Sequence, residues 1–513
     1  MQRNAAIDSE LVERIERMER TLDQQAAELR EARKSIQTLT ALAGKRQKRI
    51  ELLEGRLRQY EPVPDDSESQ EGPDNQADHD EDHNRQDADP DRYSIDQATD
   101  PPKKRTKSKG GRKSLQDKIA RTDRTEDIYP EDCDPALCQL VRTRVAHRLE
   151  NGQAVYIAYN IYQSPDGRRG QVPELGADGE YGIEWAVIVA YLMYVVGMSM
   201  DRARAVIRFF TGLSLGRSQA DALLTRLHRN WEPEFERLCE LLAHALVVHV
   251  DESGWKVGKT SRSVWVFLTE KMCLYLFGVR KDLDTLFEML DPDTFEGTVV
   301  SDDSALYRER FRKAQKCWAH LIRKAVRLTL LYPHKTQYQD FLAELVSIYR
   351  SAKRSASDGR LKDPGRKKRV AELESHIWTL CGEWWGASVP DNATADERTF
   401  INLNKEVLRL YDHHELFEFV LNPNVPPTNN PGEQAFRFVA TERAAGRTSK
   451  TPAGSRRRSV LGSVFKTLSM QWDDFTLEVV LEHIGSVIRS GTSLFDRWFS
   501  RGSPSPGPAP ADA

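Results

Sequence analysis

Three acidic residues have the types and positions that metal-dependent phosphoryl transfer requires. Asp251 follows the apolar run Ala245–Val250, and Asp302 follows the run Gly297–Ser301. Glu433 lies at the start of a predicted helix. Carboxylate oxygens are the ligands that hard divalent cations prefer, and two such cations can stabilise the attacking and leaving oxygens of an in-line displacement. We therefore expect the fold to bring these three side chains together as the ligands of two Mg²⁺ ions, with Mn²⁺ as a substitute.

Each of these residues also has a simpler interpretation. Aspartate is common in the turns that follow strands, and Asp303 is an alternative ligand to Asp302. Position 302 comes directly off the predicted strand, which favours it. The sequence from Asn430 to Glu433 fits a helix start in which Glu433 completes a capping box. From local chemistry alone a cap is the more common explanation, but a carboxylate at a helix start can still face a metal site.

Basic residues near these positions are candidates for DNA contacts. His320 and Arg323 follow the predicted strand Lys316–Ala319 and could contact a scissile phosphate or orient a metal ligand; the alternative is an ordinary strand end with a satisfied histidine. Arg437 lies four residues after Glu433, on the same face of the predicted helix. A basic segment that follows is predicted to bind the DNA backbone. Its members are Arg443, Arg447, Lys450, Arg456, Arg457 and Arg458.

The pattern of apolar residues predicts the elements that position these side chains. Residues 241–320 read as three consecutive strands, a helix, a fourth strand, a second helix at Leu306–Arg312 and a short fifth strand. This is the order of an RNase H-like domain. Residues 321–425 are predicted to form a helical insertion, and 426–490 the catalytic helix and the last part of the core. The predicted fold class is α/β, an RNase H-like catalytic core with a helical insertion.

The N-terminal half is predicted to add three further segments. Residues 1–60 carry a long heptad seam of apolar residues, which is typical of a coiled coil and predicts a homo-oligomer. Residues 61–115 are acidic and then basic and contain very few large apolar side chains, so we expect a disordered linker. Within its basic part Arg112 could enter a DNA minor groove, although a solvated linker is the more common explanation. The tail at 491–513 is also predicted to be disordered.

Residues 116–240 are predicted to form an additional α-helical domain. Two predicted helices in this segment have helix–turn–helix spacing, which makes a DNA-binding role possible. The first ends at Phe210, the turn is Thr211–Gly216, and the second helix covers Gln219–Trp231. The spacing is a weak signal, because many two-helix corners look alike. DNA reading by this segment is therefore one hypothesis beside an ordinary helical corner.

Composition limits the class of protein. The 513 residues favour two to four domains, and the net charge of −3 hides an acidic linker offset by a basic remainder, as in a polyanion-binding protein, although ordinary surface charge would explain it as well. The six cysteines have no zinc-knuckle spacing. The longest apolar stretch, Trp185–Met200, is short for a membrane span and is broken by Gly197. A polar N-terminus gives no sign of a signal peptide, so we expect a cytoplasmic location and no membrane partner.

Four motifs occur in an order that resembles the DDE transposases of the insertion-sequence 66 family. They cover roughly residues 180–485. The motifs are Val248–Ser253, Ser301-Asp302 with Tyr307, Cys317–Lys324, and Asn429–Arg437, followed by Gly446–Thr451. The resemblance implies that Asp251, Asp302 and Glu433 hold metal ions. It also implies cleavage and strand transfer at the terminal inverted repeats of a bacterial element, joining to target DNA, and an association with the nucleoid.

The sequence departs from the family pattern in three places. Asp303-Ser304 replace the usual small residues after the second aspartate, and Ser253 stands where threonine is common. The cysteine-rich zinc module is missing, and Cys133 and Cys138 are what remains of it. Two other functions are therefore kept as alternatives: a non-catalytic DNA-binding regulator derived from a transposase, and a structure-specific RNase H-like nuclease.

Overall fold

The computed structural model describes residues 114–172, 179–472, 474–490, 493 and 495–496. The predicted coiled coil, Arg112 and nearly all of the predicted linker and tail lie outside these residues, so those predictions stand as they were made. The described chain is a mixed α/β structure with two sheets. None of the helices that the structure describes combines the length and the apolarity needed to cross a membrane.

The first sheet corrects the prediction that 116–240 is helical. After the short helix α1 (Leu115–Ile119), strands β1 (Arg124–Ile128), β2 (Gln139–Glu150) and β3 (Gln153–Gln163) form a sheet in the order β1-β3-β2. β2 and β3 are antiparallel neighbours joined at Asn151-Gly152, and both residues have positive φ. Asn-Gly is the preferred two-residue hairpin turn, and the β-branched and aromatic residues of β3 favour a strand. These local preferences explain the sheet.

Three helices follow this sheet. They are α2 (Ile183–Tyr194), α3 (Met200–Thr211) and α4 (Arg217–Leu242). α3 ends at Gly212 in the left-handed conformation, and α4 starts five residues later. α4 continues well beyond the predicted end at Trp231 because its buried stripe continues through Phe235, Leu238 and Leu242. DNA reading by α3 and α4 remains a prediction.

The second sheet has five strands in the order β6-β5-β4-β7-β8. β4, β5 and β6 are antiparallel neighbours, whereas β4, β7 and β8 run parallel. The bounds are β4 Val247–Val257, β5 Thr260–Leu268, β6 Cys273–Val279, β7 Thr298–Ser301 and β8 Ala314–Lys316, with helix α5 (Leu283–Met289) between β6 and β7. Alternate residues of β5 enter two different apolar cores, so both faces of this sheet are covered.

The predicted helix at Leu306–Arg312 is wrong, since this segment is a series of turns. Glu309 has a φ of 56°, which ends any helical run. The buried ammonium of Lys316 donates to the carbonyl of Tyr307 at 3.0 Å, so a side chain takes the place of a helical N–H. The fifth strand also ends earlier than predicted, because Trp318 already belongs to the next helix.

Five helices form the segment between β8 and the helix that carries Glu433. They are α6 (Trp318–Leu331), α7 (Thr336–Ser357), α8 (Asp363–Cys381), α9 (Ala395–Asp412) and α10 (Glu418–Leu421). Their apolar faces pack into one core, which also takes in Val300 of β7. The helical segment is thereby anchored beside the strand that leads to Asp302.

The last helices are α11 (Asn430–Ala435), α12 (Arg437–Ala444), α13 (Pro452–Ser469) and α14 (Leu477–Ser490). α13 lies along β6, the edge strand of the five-stranded sheet. Three hydroxyl side chains spaced four residues apart on α13 accept hydrogen bonds from the backbone N–H groups of β6. The pairs are Phe277 with Ser459 at 2.8 Å, Tyr275 with Ser463 at 2.8 Å, and Cys273 with Thr467 at 3.1 Å.

Candidate active site

Asp251 and Asp302 lie on neighbouring parallel strands. The last paired residues of β4 and β7 are His249 and Val300, and each aspartate stands two residues further along its chain. Residues two apart on a strand point to the same face, so Asp251 shares the face of His249. β4 continues past Asp251 in pairing with β5, which holds this backbone in place.

The surroundings of Asp251 concentrate negative charge. Burial is the largest influence, and together with the nearby charges of Asp302 and Glu252 it raises the pKa of Asp251 to about 7. The charge of Glu433 contributes to the same rise of the pKa. The backbone N–H of Glu252, which donates to Asp251 Oδ1 at 2.9 Å, acts in the opposite direction. Like charges gathered at a partly buried site fit a divalent cation, and the donors are all carboxylate oxygens, which suits Mg²⁺ or Mn²⁺.

Glu433 is held by an arginine rather than by a helix cap. Its helix starts at Asn430, so Glu433 is the fourth helical residue, and the cap residue Asn429 forms no side-chain cap bond. The predicted capping box is therefore wrong. The Glu433 carboxylate instead accepts hydrogen bonds from Arg323 Nη2 at 3.0 and 3.4 Å, and His320 Nδ1 lies 3.7 Å from its Oε1. Both predicted phosphate-contacting residues, His320 and Arg323, thus lie beside Glu433.

Asn429 is the residue at this site to which the sequence analysis assigned no role, although it begins the fourth motif. Its side-chain amide donates to the carbonyl of Val250 at 3.0 Å, and its Oδ1 lies 2.8 Å from His249 Nδ1. Its backbone N–H donates to Cys317 Sγ at 3.2 Å. A Cβ at position 432 would lie 2.8 Å from Asn429 Oδ1, so Gly432 gives the amide its room. Asn429 therefore connects the helix of Glu433 to the strand of Asp251.

The carboxylate of Asp303 is paired with two arginines. It forms ion pairs with Arg409 of α9 and with Arg308, the second at 3.2 Å, and its side chain is 7% exposed. Asp302 instead accepts a hydrogen bond from the backbone N–H of Ser304 at 3.0 Å and acts on the pKa of Asp251. This arrangement favours Asp302 over Asp303 as the residue available to a metal.

Glu252 lies on the other face of β4. Its buried carboxylate accepts a hydrogen bond from the hydroxyl of Tyr307 and forms an ion pair with Lys281. Alternation along the strand explains why it faces away from Asp251. It contributes charge to the site without lining the face of His249.

The basic segment predicted to bind DNA is largely engaged within the protein. Arg447 lies 3.4 Å from Glu442, whereas Arg437 and Lys450 are exposed. Arg443 donates to Ser253 Oγ at 2.9 Å. Three arginines of α13 bind acidic side chains. Arg456 pairs with Glu232 at 3.0 Å, Arg457 with Asp221 at 2.8 Å, and Arg458 with Glu442 at 3.2 Å.

The fold and the site define a mixed α/β protein in which carboxylates lie close together on, or just after, the neighbouring parallel strands β4 and β7. The model of one protein family, described as Transposase IS66 family, matches residues 179–457, more than half of the chain. The chain therefore belongs to the Transposase IS66 family, as its motifs indicated, and DNA is the partner that this membership implies. No curated protein matches the sequence.

Proposed function

We propose that this chain is a DDE transposase, which cleaves the ends of an insertion sequence and transfers the strands to target DNA. Asp251, Asp302 and Glu433 would hold two Mg²⁺ or Mn²⁺ ions. The observation that carries the proposal is the position of Asp251 in a partly buried site close to other carboxylates. Burial and these neighbours raise the pKa of Asp251 to about 7. A partly buried site that brings the carboxylates of Asp251 and Asp302 close together is suited to binding cations.

The sheet supports the same proposal. An order of three antiparallel strands followed by two parallel ones, β6-β5-β4-β7-β8, is the arrangement expected of an RNase H-like core. In that arrangement the first and fourth strands along the chain are neighbours, and they carry Asp251 and Asp302. We therefore assign the RNase H-like fold as part of this proposal.

Divalent cations bound by the three carboxylates would activate an attacking oxygen and stabilise the leaving oxygen at phosphorus. The protein's own residues would position these groups. Asp251, whose pKa is raised by both Asp302 and Glu433, would hold the ions together with these two residues. Arg323 would leave Glu433 and pair with a DNA phosphate, since more than half of its side chain is exposed. His320, Arg437 and Lys450 would contact the DNA near this point, whereas Arg447 would act by holding Glu442.

The test uses the full chain, Mg²⁺ or Mn²⁺, and a duplex that ends in the terminal repeat of the element flanking the gene. We expect metal-dependent nicking at the repeat and joining to a target duplex, with both lost in Asp251→Asn. An Asp251→Asn protein that still cuts would contradict the site assignment. Cutting of branched DNA without the repeat would indicate a structure-specific nuclease, and repeat-specific binding without any cutting would indicate a regulator.

A further inference from the structure

A second group of metal-binding side chains shares Glu433 with the carboxylate cluster. Cys317, His320 and Glu433 each offer one potential ligand atom, and these atoms lie within 4.8 Å of one another. It is the one such set found among the described residues. Cys317 caps the start of α6, His320 lies three residues later, and Glu433 comes from α11.

The chemistry of these three donors differs from that of the carboxylate cluster. Thiolate, imidazole and carboxylate together suit Zn²⁺, whereas Mg²⁺ requires oxygen ligands and near-octahedral geometry. His320 and Glu433 have side chains about one-third exposed, so an ion can reach the buried Cys317 from solvent. Three protein ligands leave a fourth position for water or another small ligand.

Cys317 is surrounded by donors that suit a thiolate. The backbone N–H of Asn429 donates to its sulfur at 3.2 Å, and the N–H groups of Ala319 and His320 also point to it. Burial outweighs these bonds and raises the pKa of Cys317, and a bound metal ion would displace the proton of its thiol. The buried Nδ1 of His320 is available as a metal ligand, since it forms no hydrogen bond in the described part of the chain and lies 3.7 Å from Glu433 Oε1.

Arg323 would compete with a metal ion for Glu433, because its Nη2 lies 3.0 Å from Glu433 Oε1. Its side chain is 55% exposed, and an exposed pair of this kind contributes only about 0–1 kcal/mol. A thiolate-bound metal ion is bound far more strongly than that. The ion pair therefore does not prevent a metal ion from taking Glu433.

We propose that Cys317, His320 and Glu433 form a binding site for a thiophilic divalent cation such as Zn²⁺, and that filling this site inhibits the transposase. An ion here would draw Glu433 away from Asp251 and Asp302. The inhibitory part rests on the proposed function, whereas binding of the ion does not.

Binding is tested with Co²⁺ as a spectroscopic substitute for Zn²⁺ in the full-length protein. The background carries Cys133→Ser and Cys138→Ser, because those two sulfurs lie 3.2 Å apart and could bind metal themselves. We expect one thiolate-bound Co²⁺ per chain, seen as sulfur-to-cobalt charge-transfer absorption that Zn²⁺ abolishes. Cys317→Ala should remove this absorption, and Cys317→Ser, which keeps an acceptor for the Asn429 N–H, should do the same.

His320→Gln should weaken the binding of Zn²⁺ by more than about 10- to 100-fold, because even residues that only support metal ligands have effects of that size. Circular dichroism establishes that each variant is folded. Binding of Co²⁺ without thiolate absorption, or unchanged absorption in Cys317→Ala, would overturn the site.

Inhibition is measured in the repeat-cutting assay with excess Mg²⁺ and added Zn²⁺, each variant being compared with its own rate without Zn²⁺. The Cys133→Ser, Cys138→Ser background should be inhibited, and the additional change Cys317→Ser should make cutting resistant. Equal inhibition of both proteins would overturn the inhibitory part. A protein that binds Co²⁺ through Cys317 but never cuts DNA would count against the proposed function and leave the metal site intact.

Discussion

Asn429 and His249, 180 residues apart in sequence, are joined by a buried hydrogen bond of 2.8 Å. Because the Asn429 amide nitrogen donates to the carbonyl of Val250, its oxygen must be the acceptor, and His249 Nδ1 carries the proton. Burial lowers the pKa of His249, so the ring is neutral. This bond fixes the start of the helix of Glu433 against the strand of Asp251.

Replacing Asn429 should therefore affect both stability and chemistry. Asn429→Ala leaves the His249 donor buried without its partner, and we expect a loss of about 2–4 kcal/mol in the free energy of unfolding. Cutting should fall by about 100-fold or more at temperatures where the protein is folded, because a displacement of Glu433 by about 1 Å has an effect of that size. Urea unfolding and repeat-cutting rates measure the two effects.

The neighbouring residue provides the control for this prediction. Asn430 is exposed, so Asn430→Ala should leave the unfolding free energy and the cutting rate close to those of the parent. A positioning role also predicts that Asn429→Ala needs more Mn²⁺ for half-maximal cutting, which a purely destabilising change would not cause. Wild-type Mn²⁺ dependence in folded Asn429→Ala would rule out this role.

The two adjacent aspartates should give opposite results. Asp302→Asn should reduce cutting by about 10²- to 10³-fold, as when one electrostatic stabiliser of a transition state is removed, with little loss of stability. Asp303→Asn should retain most of the cutting rate but lower the unfolding free energy by about 1–3 kcal/mol, because the ion pairs of Asp303 with Arg409 and Arg308 are lost. The reverse pattern would make Asp303 the metal ligand.

The charge state of Asp251 should make the stability of the metal-free protein depend on pH. Its pKa is raised from 3.8 to about 7 in the folded state, so the unfolded chain loses this proton at lower pH than the folded one. The carboxylate therefore lowers the free energy of unfolding progressively from about pH 4 to pH 7. In EDTA at pH 8, Asp251→Asn should be more stable than the parent by about 1–3 kcal/mol, and the difference should vanish near pH 4.

Asp201→Asn is the matched control for that experiment. The pKa of Asp201 is lowered, chiefly by its hydrogen bond with Arg217, so its replacement should not stabilise the protein at pH 8. Thermal unfolding at pH 4, 6 and 8 measures all three proteins. If Asp251→Asn is no more stable than the parent at pH 8, neither burial nor the neighbouring carboxylates destabilise the charged side chain of Asp251 in the folded protein.

Arginines of the basic segment should separate into structural and DNA-contacting ones. Arg458 pairs with Glu442 and lies over the rings of Tyr194 and Trp255, both 5.2 Å from the guanidinium carbon. Arg458→Ala leaves Glu442 with less compensation and should lower the free energy of unfolding by about 3–5 kcal/mol. Urea unfolding measures this loss, and a variant as stable as the parent would contradict the structural role.

Arg437 provides the contrasting case. It is exposed and has no acidic partner within the described ranges of the chain. Arg437→Ala should leave stability unchanged, weaken DNA binding on all sequences and reduce the salt dependence of binding by about one unit of slope. Fluorescence anisotropy with labelled duplexes at several salt concentrations measures this. An unchanged slope would place Arg437 outside the DNA contact.

The elements that carry the candidate site were predictable because their signals are local. The apolar runs before Asp251 and Asp302 specify buried strands. β7 ends at Ser301 as predicted, whereas β4 continues past Asp251 to Val257. Asn429 could not be recognised, because its partners Val250 and Cys317 become neighbours only in the folded chain. The ion pair between Asp303 and Arg409 was hidden for the same reason.

Two errors had different causes. The turn at Asn151-Gly152 was a visible hairpin signal, but the prediction of a helical domain over 116–240 rested on the helical pattern near Phe210 and Gln219–Trp231 and was extended to the residues before it. The helix predicted at Leu306–Arg312 failed because the buried Lys316 takes a backbone carbonyl there, and the local pattern gives no sign of that competition.

The hydroxyl groups of α13 have a consequence for how copies of this protein meet. An edge strand with open N–H groups invites a strand from another molecule, which is a route to aggregation. Ser459, Ser463 and Thr467 occupy those groups on β6, so this margin of the sheet cannot be extended by a neighbour. A chain shortened before Pro452 would lose this cover, and we expect it to precipitate rather than to remain as a smaller working enzyme.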